Sequence, residues 1–172
     1  YLTPVLAVPR GNPKQVVSLE AALERKLSFG MANPEAAAVG KVVRDLLVAS
    51  GDWAKFEPQI RVLKPTVNDV ANDLKLGTVD VGVVWDSTVA QYPELETISI
   101  PAWAGARQKV QVAVLKATQQ PTAALRFARF LGARDAGLTT FATNGYQVVS
   151  GDAWAEHPEV VRGPRPDRRR DP

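Results

Sequence analysis

The sequence predicts an α/β fold in which a largely parallel sheet is covered by helices on both faces. Two observations carry this. Apolar, β-branched runs at 27–31, 60–63 and 79–85 alternate with two stretches of helical periodicity, as in a three-strand, two-helix unit. The 172 residues, 45 % apolar and 23 % charged, have the balance of a globular chain, long enough for one sizeable domain or two small lobes. No run reaches the roughly 18 apolar residues of a membrane-crossing helix, and no charged start leads into an apolar stretch as in a signal peptide.

The elements follow in order. "PVLAVP" (4–9) is a short apolar run broken by "RGNPK", whose Gly and Pro punctuate it. "SLEAALERK" (18–26) reads as a short helix with Ser18 as N-cap, and "LSFGM" (27–31) as a strand. The next helix sets Val39, Val42, Val43, Leu46 and Leu47 on one face and stops at Gly51. "IRVL" (60–63) is a strand, and "PTVNDVANDLKLG" (65–77) a second amphipathic helix in which Thr66 and Asp69 match a capping box. "VDVGVVW" (79–85) is a buried strand from which "DSTVAQYP" turns away. "LETISIPA" and "KVQVAVL" (109–115) read as two further strands. "PTAALRFARFLG" (121–132) has Pro at its start and Gly at its end, as helices do, and a last short helix within 134–146 stops at Asn144-Gly145.

Composition excludes several chemistries. The absence of cysteine removes thiolate metal sites, cysteine nucleophiles and disulfides. The only histidine, His157, stands beside Pro158 near the C-terminus, so a Ser–His or metal–His arrangement is not expected. No G-x-S-x-G, phosphate-loop or dinucleotide fingerprint occurs. Asp80 and Asp86 flank the 79–85 strand, where turn and cap duties suffice to explain them. No enzyme activity, cofactor or metal is expected. The net charge of +3 resides in "RGPRPDRRRDP" (162–172), whose five Arg and two Asp account for all of it and leave the body neutral. A nucleic-acid partner is therefore not expected, and residues 151–172 read as a disordered tail.

What remains is an anion-binding geometry. In open α/β sheets ligands sit beyond the carboxyl ends of the strands, where both helix starts and the end of "VGVVW" fall. A helix start offers up to four unpaired N–H donors and the positive end of the macrodipole. Small residues in "ANPEAAAVG" (32–40), with no Cβ on Gly40, would let an oxyanion reach the backbone. The same alanines serve equally well as plain helix formers.

The order and spacing of "ANPEAAAVGKVVRDLL", Trp53, "PTVNDV" and "GTVDVGVVWDSTV", with "PVLAVPRGNPK" before and "VQVAVLKATQQPTAALRFARFLGARDAG" and "FATNGY" after, resemble the molybdate-binding periplasmic proteins. These are receptors of oxyanion-importing ABC transporters with the type 2 periplasmic-binding fold. The resemblance runs from about residue 3 to about 148. It implies a periplasmic or extracellular protein that hands a small oxyanion, molybdate or tungstate, to an ABC permease. Carried over by position, the binding residues would be Val39, Gly40, Thr66, Val67 and Trp85. Trp85 departs from the family's tyrosine: indole donates one N–H but has no hydroxyl, and a core or cleft-wall role accounts for it equally well.

The resemblance also implies a domain plan. Residues 1–117 would be the ligand-binding lobe with its hinge strands, and 118–150 the C-terminal part of another, incomplete lobe. The chain then reads as a fragment whose upstream part, signal peptide included, stands elsewhere. Apolar faces on 121–141 would favour self-association. The same fold serves as effector-binding domain in transcriptional regulators, which is the alternative reading.

Overall fold

A computed structural model describes residues 1–154 of the chain. His157 and the basic stretch 162–172 lie outside the described residues. The chain divides into two units, Tyr1–Val110 with Phe141–Val148, and Gln111–Thr140 with Val149–Pro172.

The first unit is built on five strands, β1 (Pro4–Pro9), β2 (Phe29–Ala32), β3 (Ile60–Lys64), β4 (Val81–Trp85) and β5 (Leu95–Ile98), in the order β3-β2-β4-β1-β5. The expected three-strand unit is its parallel half: β2 pairs in parallel with both β3 and β4. β1 runs antiparallel between β4 and β5, so one strand opposes the other four. Apolar periodicity reveals burial but not strand direction, which is why β1 gave no sign of it.

The helices of this unit are α1 (Leu19–Glu24), α2 (Ala38–Ser50), α3 (Trp53–Phe56), α4 (Val67–Lys75) and α5 (Asp86–Ala90). Ser18 caps α1 as expected, its Oγ accepting the Ala21 N–H at 3.1 Å. Gly51 ends α2 in the left-handed conformation (φ 81°), which costs a glycine nothing. Adjacent residues of β2 identify the two covered faces. The Phe29 ring packs on Phe56 of α3 at 4.7 Å, whereas Gly30 faces Val70 of α4. A Cβ on Gly30 would come within 3.3 Å of Val70.

The core between these layers is almost wholly aliphatic, with Leu6, Phe29, Met31, Val39, Val43, Leu47, Phe56, Val70 and Leu74 at 0–1 % exposure. Residues 141–148 are tied to the start of the chain. The Tyr1 nitrogen donates to the Gln147 carbonyl (2.5 Å), and Gln147 Nε2 donates to Thr3 Oγ1 (2.8 Å) and Asp86 Oδ2 (2.9 Å).

The second unit holds α6 (Pro121–Gly132), and α7 (Gly137–Thr143) leads from it back into the first. Residues 109–115 do not form the expected strand. Their alternation is right for one, but Val110, Val112 and Leu115 are 46–76 % exposed and no ladder partner lies beside them among the described residues. Of the stretch expected as a tail, 151–154 pack on this unit: Trp154 meets the Phe130 ring edge-on at 5.8 Å, and its N–H donates to Asp135 Oδ1 at 2.6 Å.

Candidate functional site

The carboxyl ends of β2 and β3 lie side by side. Ala32 is registered with Lys64, and the Asn33 N–H donates to the Lys64 carbonyl at 2.7 Å. From these neighbouring ends α2 and α4 depart to serve opposite faces. β2 leads outward to β3, while β3 leads back across β2 to β4. Such a divergence is the topological switch point at which open α/β sheets place ligands.

The chain between β2 and α2 is closed by its own polar groups. Asn33 Oδ1 accepts the Glu35 N–H (2.9 Å), and the Asn33 carbonyl accepts those of Ala36 (2.9 Å) and Ala37 (2.8 Å). The next three amides have no such provision. Ala37 is the N-cap and has no side chain with which to cap, so the N–H groups of Ala38, Val39 and Gly40 make no hydrogen bond among the described residues. Glu35 is drawn aside into an ion pair with Arg44, one turn into α2, and this contact leads the upward shift of the Arg44 pKa.

Gly40 has a structural reason that the sequence concealed. A Cβ there would stand 2.1 Å from the Ala32 carbonyl oxygen and 2.9 Å from the Pro34 nitrogen. The glycine lets α2 lean on the end of β2; the missing side chain faces backbone, not open space. The Val39 side chain is fully buried in the core. Gly40 is buried as well, so of the three residues with unpaired amides only Ala38 is exposed.

The start of α4 differs. Thr66 Oγ1 accepts the Asp69 N–H (3.2 Å) and donates its own proton to Asp69 Oδ2 (2.7 Å). The expected capping box is thus half formed. The Asp69 carboxylate meets the threonine hydroxyl instead of the Thr66 N–H, and it sets a negative charge in the first turn. The Val67 and Asn68 amides remain unpaired. Trp85 ends β4, on the other side of β2, opposite Pro4 of β1, and is 9 % exposed. The five expected residues therefore stand at or after three consecutive strand ends, with Trp85 part of the hydrophobic core. Neither of the two recesses described below or at Lys26–Arg61 is lined by any of them.

The two flanking carboxylates are structural. Asp80 Oδ2 accepts the Ser28 N–H (2.9 Å) and hydroxyl (2.8 Å), with the Lys14 ammonium at 3.7 Å. Burial pushes its pKa up, but the Ser28 bonds and Lys14 outweigh that and hold it below the usual carboxylate value. Asp86 Oδ1 accepts the Thr3 (3.0 Å) and Ser87 (2.8 Å) amides, and Oδ2 the Gln147 amide. This second knot was missed from sequence, where nothing links residues 3, 86 and 147.

A family model described as bacterial extracellular solute-binding protein matches residues 1–147. The chain belongs to that family. Solved structures agree in fold. The substrate-binding domain of a putative molybdenum ABC transporter from Clostridium difficile is 20 % identical with a TM-score of 0.66, covering 87 % of this chain and 64 % of its own. A periplasmic thiamin-binding protein is 15 % identical with a TM-score of 0.67, covering 88 % and 52 %. The periplasmic molybdate-binding protein of Azotobacter vinelandii is 16 % identical with a TM-score of 0.63, covering 87 % and 67 %. The chain thus spans between about half and two-thirds of these proteins' lengths. No curated protein matches it significantly. These family members and neighbours are binding proteins, not enzymes. Among the described residues, no helix is long and apolar enough to cross a membrane.

Proposed function

We propose that the chain serves an extracytoplasmic receptor for a small oxyanion, molybdate or tungstate first, that delivers its ligand to an ABC permease. In this reading residues 1–117 are the ligand-binding lobe and 118–150 belong to another lobe. The amides of Ala38, Val39 and Gly40 hold one side of the anion, those of Val67 and Asn68 approach it from the neighbouring helix start, and Trp85 walls the far side. The observation that carries the reading is the row of unpaired amides at the uncapped start of α2, beside a second helix start at the switch point. The likeness to two proteins titled for molybdenum or molybdate supports the choice of anion.

Each amide that turns toward an oxyanion gains a charge-assisted bond of about 1.5–3 kcal/mol. A receptor of this kind closes two lobes on its ligand, so a single lobe binds with a fraction of the full affinity. Isothermal titration of the chain with molybdate, tungstate, sulfate and phosphate tests the proposal. Ligand carried to about 10 mM reveals even a binding free energy near −3 kcal/mol. Saturable heat from molybdate and tungstate is the expected result; no heat from any of the four rejects the oxyanion class.

A further inference from the structure

A recess of about 440 Å³ opens within the first unit, at the same edge of the sheet but lined by none of the helix-start residues just described, between the beginning of β1, the end of β5 and the turn of helix at Pro101–Ala106. Part of its lining is apolar, supplied by Val5, Ile100, Pro101 and Ala104. The same lining carries several donors. Thr3 Oγ1 accepts from Gln147 Nε2 and so keeps its own proton to give, and Thr97 and Ser99 add exposed hydroxyls. Arg107 completes the rim. Its guanidinium lies over the Tyr1 ring at 4.6 Å, which holds the fork in place, and it makes no ion pair with any described residue. The Asp86 carboxylate also lines the recess, and both of its oxygens are taken up by hydrogen bonds from Thr3, Ser87 and Gln147.

We infer that this recess is a second ligand site, for a small organic anion with an apolar body and one carboxylate. The fork of Arg107 matches a carboxylate two bonds at a time, and the hydroxyls offer it further donors. The apolar part of the lining takes up the rest of the molecule, and the volume falls in the range of small-molecule pockets. An inorganic oxyanion leaves that part wet and gains less. The site rests on its own residues and stands whether or not the helix-start amides bind an anion.

Titration of the full ¹⁵N-labelled chain with 3-phenylpropionate tests this, with 3-phenylpropanamide as the uncharged twin. The acid is expected to shift the amides of Ser99, Ile100, Ala104 and Arg107 saturably, at least about tenfold more tightly than the amide twin, which lacks the charge-assisted pair. Arg107→Gln, an exposed position, is expected to weaken the acid about 10- to 100-fold while leaving the spectrum elsewhere unchanged. Ser99→Ala is expected to weaken it a fewfold. Equal binding of acid and amide, unaltered binding by Arg107→Gln, or shifts confined to residues 38–40 and 67–68 would each overturn the inference. Loss of molybdate binding alone would leave it intact.

Discussion

The starts of α2 and α4 leave neighbouring strand ends, yet they are finished differently. α4 carries its own cap: Thr66 and Asp69 bond to each other, and the aspartate supplies the negative charge that the macrodipole favours. α2 has alanine at the N-cap, its nearest acid Glu35 diverted to Arg44, and three amides with nothing to bond. A helix without a cap forgoes about 1 kcal/mol. The difference teaches that the two starts are unequal donors. The α2 end keeps three amides without a partner among the described residues, and the α4 end is already partly satisfied.

The largest effect is expected where α2 meets β2. Gly40→Ala puts a methyl 2.1 Å from the Ala32 carbonyl oxygen, backbone against backbone, and should cost about 3 kcal/mol in urea unfolding. A variant as stable as the parent would show that the helix does not lean on the strand. Next comes Ala37→Asp, which gives α2 the cap it lacks. It should raise stability by about 1 kcal/mol and weaken molybdate at least about tenfold by occupying the same amides. Stability gained with affinity unchanged would separate the amides from the anion. Thr66→Ala should cost about 1 kcal/mol, because this cap is in use.

Asp69→Asn sharpens the contrast from the other side. Removing its charge should tighten molybdate about threefold at low ionic strength, and less so in salt. The smallest effect concerns Asp80. Its folded pKa is depressed, so its stabilisation is fully present above the unfolded carboxylate value and fades as pH falls through the folded one. Asp80→Asn should therefore narrow its stability gap from the parent in strongly acidic buffer, as followed by thermal melts.

Much of the first unit could be read from residues alone. The alternation of 27–31, 60–63 and 79–85 with helical periodicity gave the parallel half of the sheet, and Ser18 and Gly51 marked helix ends as their chemistry requires. Three of the misses depend on a partner that the local pattern does not reveal. Residues 109–115 alternate like a strand, but a strand exists only against a ladder partner. Gly40 looked like room for a ligand because the carbonyl that fills the space, that of Ala32, comes near only in the fold. The Thr3–Asp86–Gln147 knot joins three parts of the chain that no local motif connects. Both α3 and α5 are too short for periodicity to register.

Amide-resolved NMR titration of the ¹⁵N-labelled chain with molybdate tests the central claim most directly. Saturable shifts are predicted for Ala38, Val39 and Gly40, with smaller ones for Val67 and Asn68, and all of them should be suppressed in Ala37→Asp. Molybdate that leaves residues 38–40 unmoved, or that binds Ala37→Asp as well as the parent, would contradict the account.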